Sequence, residues 1–322
     1  MTTSDTVDGR RLAEVSGAEL LKSLSSGGIW LQLGAACVRL RSDSPHLASQ
    51  LIAAYPEFSL GLNKAWADVH VDIMQAPGLR RWLRPQVVLR CDSRETFDPF
   101  PADSPLPLFE WGCNWLLTRR RNDMLLLHAG TVEKNGRVMI LPALPGSGKS
   151  TLTAALSLRG WRLLSDEFGV LDPSSGEFHA LLKPVCLKNQ SIQVIRRFAP
   201  DAAMGPEFPK TRKGIVAHLA AQPDAVARRS ERAVPGAVVL PRWEEGSSTQ
   251  LKPMGAPELF SALAFNAFNY ATLGAAGFES VVRVAQHCPA WQLVYSDLDD
   301  AVTALDNLWT DVIAGRRTVA MS

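Results

Sequence analysis

The residues best suited to chemistry lie in LPALPGSGKST, Leu141 to Thr151. Gly146 and Gly148 let a backbone turn its N–H groups inward and come close to a polyphosphate. Lys149 adds a cation that reaches β- and γ-phosphates, and the Ser150 hydroxyl suits Mg²⁺. Pro145, Ser147 and Thr151 complete the stretch whose backbone would wrap the phosphates. The strict GxxxxGK[ST] pattern fails at its first position, where Ala143 stands; alanine keeps that position small. Mg-ATP is the ligand this chemistry expects. Farther along, RLLS ends in Asp166 and Glu167. An acidic pair at the end of a strand that follows a phosphate-loop helix is placed to handle Mg²⁺ and an attacking hydroxyl. Lys210, Arg212 and Lys213 form a basic group that would either clamp phosphates or stand solvated.

The elements that must hold these residues are legible around them. VMIL, Val138 to Leu141, predicts a short buried strand feeding the loop. TLTAALSLRG, Thr151 to Gly160, has helical spacing and a glycine stop. Upstream, MLLLHAGTVEKNGRVMILPA predicts two strands joined at Asn135-Gly136, a strong hairpin signal. Downstream come strands at RLLS, FGVLD, GAVVLPRW and QLKPMG. APELFSALAFNAFNY predicts the start of one long buried helix. A further helix, the strand WQLVYSD and a terminal helix opened by Asp297, Asp299 and Asp300 follow. Residues 1–105 predict a smaller α+β unit, with a half-buried strand carrying Val69, Val71 and Ile73 on one face. The proline-rich stretch Asp98 to Trp111 predicts a linker or wrapping loop, and an aromatic helix begins at Pro107. Residues 106–322 would form the nucleotide-binding domain.

Composition narrows the classes of function. A chain of 322 residues with 46% hydrophobic and 20% charged content is globular in character. A net charge of +2 gives no reason to expect nucleic acid or a membrane surface as partner. The five cysteines show no CxxC or Cys/His metal spacing and suit reduced thiols. No run of about 18 apolar residues predicts a membrane span, and MTTSDTVDGRR lacks the charge-then-apolar order of a secretion signal. A cytoplasmic protein is the expectation.

These motifs carry a resemblance. LLHAGTVEKNGRVMILPALPGSGKSTLTAALSLRGWRLLSDEFGVLD resembles the core of the HPr serine kinase/phosphorylase C-terminal domain. Over nearly its full length the chain is similar to the group called HPr kinase-related kinase A, through VRLRSD, LFEWGCNW, PGSGKSTLTAAL, GWRLLSDE, KPVCLKNQSI, KGIVAHL, NAFNY and YSDLDDAV. The resemblance implies an α/β (α+β) fold: a mixed β-sheet P-loop kinase core of the HPr kinase/phosphoenolpyruvate carboxykinase type. It implies that Asp166 takes the proton of a substrate hydroxyl, that His128 on the preceding strand assists it, and that Glu167, where the family has Asp, sits near Mg²⁺ with Ser150 and Asp166. The second Mg²⁺-directed Glu and the Arg of that family have no counterpart here. Lys213, with His218 in KGIVAHL, is the candidate for γ-phosphate or acceptor contacts.

The activity so implied is transfer of the γ-phosphate of Mg-ATP to a hydroxyl. The acceptor expected from the resemblance is a Ser on a peptide or small protein; a small-molecule hydroxyl stays open, as does homo-oligomerisation. The alternative is a nucleotide-binding regulator or scaffold with little turnover. A hydrolase or carboxykinase-like enzyme is a third reading, for which no Lys, His and Asp metal cluster can be assembled from the sequence.

Overall fold

The computed structural model describes residues 7–62, 66–78, 83–91, 94–95 and 97–315. They form two compact units. The first takes the residues up to Arg120 together with Cys186–Ile192 and Ala203–Ala220. The second takes Arg121–Val185, Gln193–Ala202 and the residues from Ala221 on. The architecture is mixed α/β with mixed sheets. Among the described residues, no helix is long and apolar enough to cross a membrane.

In the first unit the elements run β1 (Val7–Arg11), α1 (Gly17–Ser26), β2 (Ile29–Gln32), β3 (Cys37–Ser42), α2 (Pro45–Ala54), β4 (Ser59–Gly61), β5 (Val69–Gln75), β6 (Gln86–Cys91), β7 (Arg94–Glu95), β8 (Phe100–Pro101) and α3 (Pro105–Arg120). The strands lie in the order β1-β4-β2-β3-β5-β6-β7, with β8 also on β6. Strand β5 buries Val69, Val71 and Ile73 and leaves the alternate residues half-exposed, as period-two spacing requires. The proline-rich stretch is not a wrapping loop. Phe100–Pro101 pairs with β6, and α3 already begins at Pro105. Prolines at 105 and 107 fall in the first helical turn, where the N–H they lack would have had no intrahelical acceptor.

The second unit opens with β9 (Leu125–Lys134), β10 (Arg137–Pro142), α4 (Lys149–Leu158), β11 (Arg162–Ser165), β12 (Phe168–Leu171) and β13 (Phe178–His179). Then come β14 (Val185–Lys188), α5 (Gln190–Phe198), β15 (Phe208–Thr211) and β16 (Gly214–Leu219), whose strands make a three-stranded sheet in the order β14-β16-β15. The second unit resumes with α6 (Pro223–Ala227), β17 (Val234–Trp243), β18 (Gln250–Met254), α7 (Ala256–Phe265), α8 (Tyr270–Leu273), α9 (Ala275–His287), β19 (Ala290–Tyr295) and α10 (Leu298–Ile313). Its sheet runs β13-β12-β9-β10-β17-β19-β18, with β11 also on β9. Strand β10 is antiparallel to β9 and parallel to β17, β19 is parallel to β17, and β18 is antiparallel to β19. The hairpin turn has Asn135 at φ 58° and Gly136 at φ 75°, the left-handed pair that a two-residue turn between twisted strands demands.

The helix expected from Ala256 onward does not continue. It stops at Phe265, and Phe265 and Phe268 are 76% and 53% exposed. The cause lies in β9. Strand β10 accompanies β9 only as far as Pro142 opposite Ala129, so the edge of β9 beyond that point needs other partners. Asn266–Phe268 supplies them. His128 N donates to Asn266 O at 2.6 Å and Phe268 N to Leu126 O at 2.9 Å. The Asn269 side chain accepts from Leu126 N at 3.0 Å and donates to Met124 O and Arg121 O at 2.7 and 3.1 Å. Asn269→Ala strands these buried groups, and a loss of about 1–3 kcal/mol is expected, read as a lower urea midpoint than wild type.

Candidate active site

After Pro142 the chain leaves the sheet and turns back into α4. Leu144, Pro145 and Gly146 are exposed at the crest, and Ser147 N closes the turn on Leu144 O at 3.2 Å. Gly146 and Gly148 hold φ of 88° and 87°, a region that favours glycine. Their surroundings differ. A Cβ at Gly146 would meet open space; one at Gly148 would lie 2.5 Å from Tyr295 Oη and 3.0 Å from Trp243 Cβ. Gly148 is therefore needed for clearance as well as for conformation.

Two strand ends steady this turn. Trp243 N donates to Ser147 O at 2.9 Å, and Tyr295 Oη donates to Gly148 O at 3.2 Å. Burial holds the Tyr295 hydroxyl well above its ordinary range, so it remains a donor. The loop's own donors are left over. Gly148 caps α4 without a side chain, so the N–H groups of the first turn have no intrahelical or capping acceptor. Ser147 Oγ is buried without a partner. Unpaired donors at a helix N-terminus suit a phosphate, and on these observations the loop fits a polyphosphate.

Lys149 and Asp166 meet beneath the loop. Both are buried, at 8% and 6% exposure. Lys149 Nζ donates to the main-chain oxygen of Asp166 and lies 3.2 Å from its Oδ1. The backbone explains why that oxygen is available. Strands β11 and β12 run along β9 as one antiparallel track, with Ser165 opposite Thr131 and Phe168 opposite His128. The track is interrupted at Asp166 and Glu167, where the Ser165 hydroxyl accepts from Phe168 N at 3.1 Å. The acidic pair thus follows directly on the end of β11, at a break inside an antiparallel ladder.

The other expected residues are distributed as follows. Ser150 and Thr151 are half-buried in the first turn of α4, and Glu167 is half-buried beside Asp166. His128 stands opposite Phe168, with its ring edge-on to Phe268 at 5.7 Å. Lys213 belongs to the first unit, where its ammonium lies 5.2 Å from the centre of the Trp111 ring. Lys210 pairs with Asp103 at 3.0 Å, and Arg212 pairs with Asp98. His218 is fully buried, its ring 5.9 Å from that of Phe208. Asp297 caps α10 by accepting from Asp300 N. Among the described residues no group of three or more His, Cys, Asp or Glu is assembled for a metal. Mg²⁺ does not require one, because it is commonly held by one or two protein oxygens with phosphates and water.

Sequence reasoning missed Trp243 and Tyr295. A signal existed: β10, β17 and β19 are parallel, so their C-terminal ends share one edge of the sheet, where ligands of open α/β sheets bind. It could be used only once the strand order was known.

No protein-family model matches the chain, and no curated protein is similar to it in sequence. Among solved structures, the Hpr(Ser) kinase/phosphatase from Coxiella burnetii is similar at 11% identity and a TM-score of 0.26, over 58% of this chain and 98% of that one.

Gly148→Ala forces both a strained φ and a clash with Tyr295, and the loss expected in stability is about 1–3 kcal/mol. Tyr295→Phe removes the clashing oxygen. In a double-mutant cycle by chemical denaturation, Gly148→Ala is expected to be less damaging in the Tyr295→Phe background than alone.

Proposed function

We propose that the chain is an ATP-dependent phosphotransferase of the P-loop kinase type, which moves the γ-phosphate of Mg-ATP to a hydroxyl. The observation that carries this reading is the meeting of Lys149 with Asp166 beneath an uncapped helix N-terminus. The motif resemblance supports it independently. The phosphates would lie along Gly146–Thr151, taking the free N–H groups and the Ser147 hydroxyl. An ammonium has three donors, and Asp166 engages two of those of Lys149. The third is open to a phosphate oxygen without loss of the pair. Mg²⁺ held by Ser150 with Asp166 or Glu167 would offset charge on the β- and γ-phosphates.

Asp166 is the group to accept the acceptor's proton. Its position next to Lys149 ties the two roles together: the ammonium that would meet a phosphate oxygen with its third donor also holds the carboxylate in place. Catalysis would rest on positioning and charge neutralisation, as in other phosphoryl transfers. His128, one strand away opposite Phe168, would orient or relay from that side. The acceptor we favour is a Ser on a peptide or small protein.

The test is transfer of label from γ-labelled ATP, in Mg²⁺, to candidate peptides, small proteins and small hydroxyl compounds. Asp166→Asn is expected to keep ATP affinity and lose about a hundredfold or more in transfer. Transfer at the wild-type rate by that variant would falsify the base assignment. Label reaching no acceptor while ATP binds tightly would turn the reading to a nucleotide-binding regulator. Lys149→Ala is expected to lose ATP binding and also, by leaving a buried carboxylate unpaired, about 3–5 kcal/mol of stability. Lys149→Ala with Asp166→Asn should recover much of the stability and none of the binding, as followed by melting and by nucleotide titration.

A further inference from the structure

A cavity opens at the end of β10 away from the loop, about 17 Å of strand from it. Its volume is about 520 Å³, within the range of small-molecule sites. The floor is apolar, with Leu171 and Val284 buried. The rim carries Arg137, Arg283 and His287, all exposed, and the unusually exposed Val234.

Three features mark this as a built concavity. The first is the helix face: Ser280, Arg283, Val284 and His287 of α9 recur at three- and four-residue intervals and line one side together. The second is the opposing turn. The carboxylate of Asp172 accepts from Ser174 N, Ser174 Oγ and Ser175 Oγ at 2.8, 2.7 and 3.0 Å. These bonds hold Ser175 and Gly176 against the helix, where Arg283 Nη1 lies 3.0 Å from where a Gly176 Cβ would be. The third is charge. No acidic residue lines the cavity, and among the described residues neither Arg137 nor Arg283 has a carboxylate partner. Burial pushes the Cys288 thiol up to about 12, against the opposing pull of Arg137, so it adds no negative charge. His287 Nδ1 lies 2.8 Å from Arg283 O. A carbonyl only accepts, so Nδ1 carries the hydrogen, and this bond ties the His287 ring back onto its own helix.

We propose that this cavity binds a small organic anion, a carboxylate or phosphate on a short apolar body. The apolar part would rest on Leu171, Val234 and Val284, with the anionic group between the Arg137 and Arg283 guanidiniums. Guanidinium favours both headgroups through paired N–H donors. The inference does not depend on the reading of the phosphate loop.

The test is calorimetric titration of the full chain with phenylacetate and with phenyl phosphate, using benzyl alcohol and inorganic phosphate as controls. Phenylacetate or phenyl phosphate is expected to bind saturably, and benzyl alcohol is not. Arg283→Glu and Arg137→Glu should each weaken binding by about tenfold or more. Both side chains are exposed, and unchanged melting temperatures would show that the variants are folded. The tighter of the two anions names the headgroup. No saturable binding below about 10 mM, equal binding of benzyl alcohol, or affinities unchanged in both variants would overturn the proposal. Phenyl phosphate binding that survives both variants and is abolished by free ATP belongs to the loop, and with no phenylacetate binding it too overturns the proposal.

Discussion

The interaction on which the second unit turns is the bond between the Lys149 ammonium and the main-chain oxygen of Asp166. A buried backbone carbonyl without a partner is costly, and the break in the β11–β12 track creates such a group. A buried ammonium is costlier still. Each supplies what the other lacks, and the Asp166 carboxylate balances the charge. Helix α4 is thereby fixed to the strand track through its first residue, and the loop before it has both ends tied. The pair does not have to add much net stability to matter, since buried ion pairs often return little beyond their desolvation. What it sets is register: the helix start cannot slide along β9 without abandoning both Asp166 contacts.

The same strand carries a second pin. Glu133 and Arg162, opposite each other at the far end of the β9–β11 pairing, are joined at 2.5 Å with side chains only 2% exposed. Arg162 also donates to the main-chain oxygens of Arg228 and Glu231, and Glu133 accepts from Gly136 N at the hairpin turn. One charged cluster fixes the hairpin end of β9 and the other fixes its loop side. Between them lies Gly130, where a Cβ would come within 2.2 Å of Thr153 Oγ1. The helix rests directly on the strand there, so a side chain at Gly130 would lift α4 and carry Lys149 away from Asp166.

Much of this was legible where the governing physics is local. The loop, its glycines, the helix that follows and the Asn135-Gly136 turn depend on residues within a few positions of one another, and each folds as its sequence indicates. The alternation of Val69, Val71 and Ile73 is of the same kind. Legibility fails where the cause is remote. Nothing within Ala256–Tyr270 says that the helix must end at Phe265; the reason is that β10 departs at Pro142 and leaves the edge of β9 without partners. The prolines of α3 look like a loop signal until the helix start is known to fall at Pro105. Lys210 and Arg212, ambiguous as bare charges, are paired with Asp103 and Asp98, acids more than a hundred residues earlier. The cavity beside Arg137 has no sequence signature because its wall comes from four separated segments.

Strand β10 has chemistry at both ends, and the two differ in kind. At Pro142 the unpaired polar groups are backbone N–H groups and a hydroxyl, with geometry set by glycine conformation and two neighbouring strand ends. At Arg137 they are long side chains over an apolar floor. The first arrangement is set by backbone geometry. The second is set by side-chain rotamers around a fixed floor. A continuous strand does not by itself pass information between such sites, because coupling needs an element with two arrangements that each ligand favours differently.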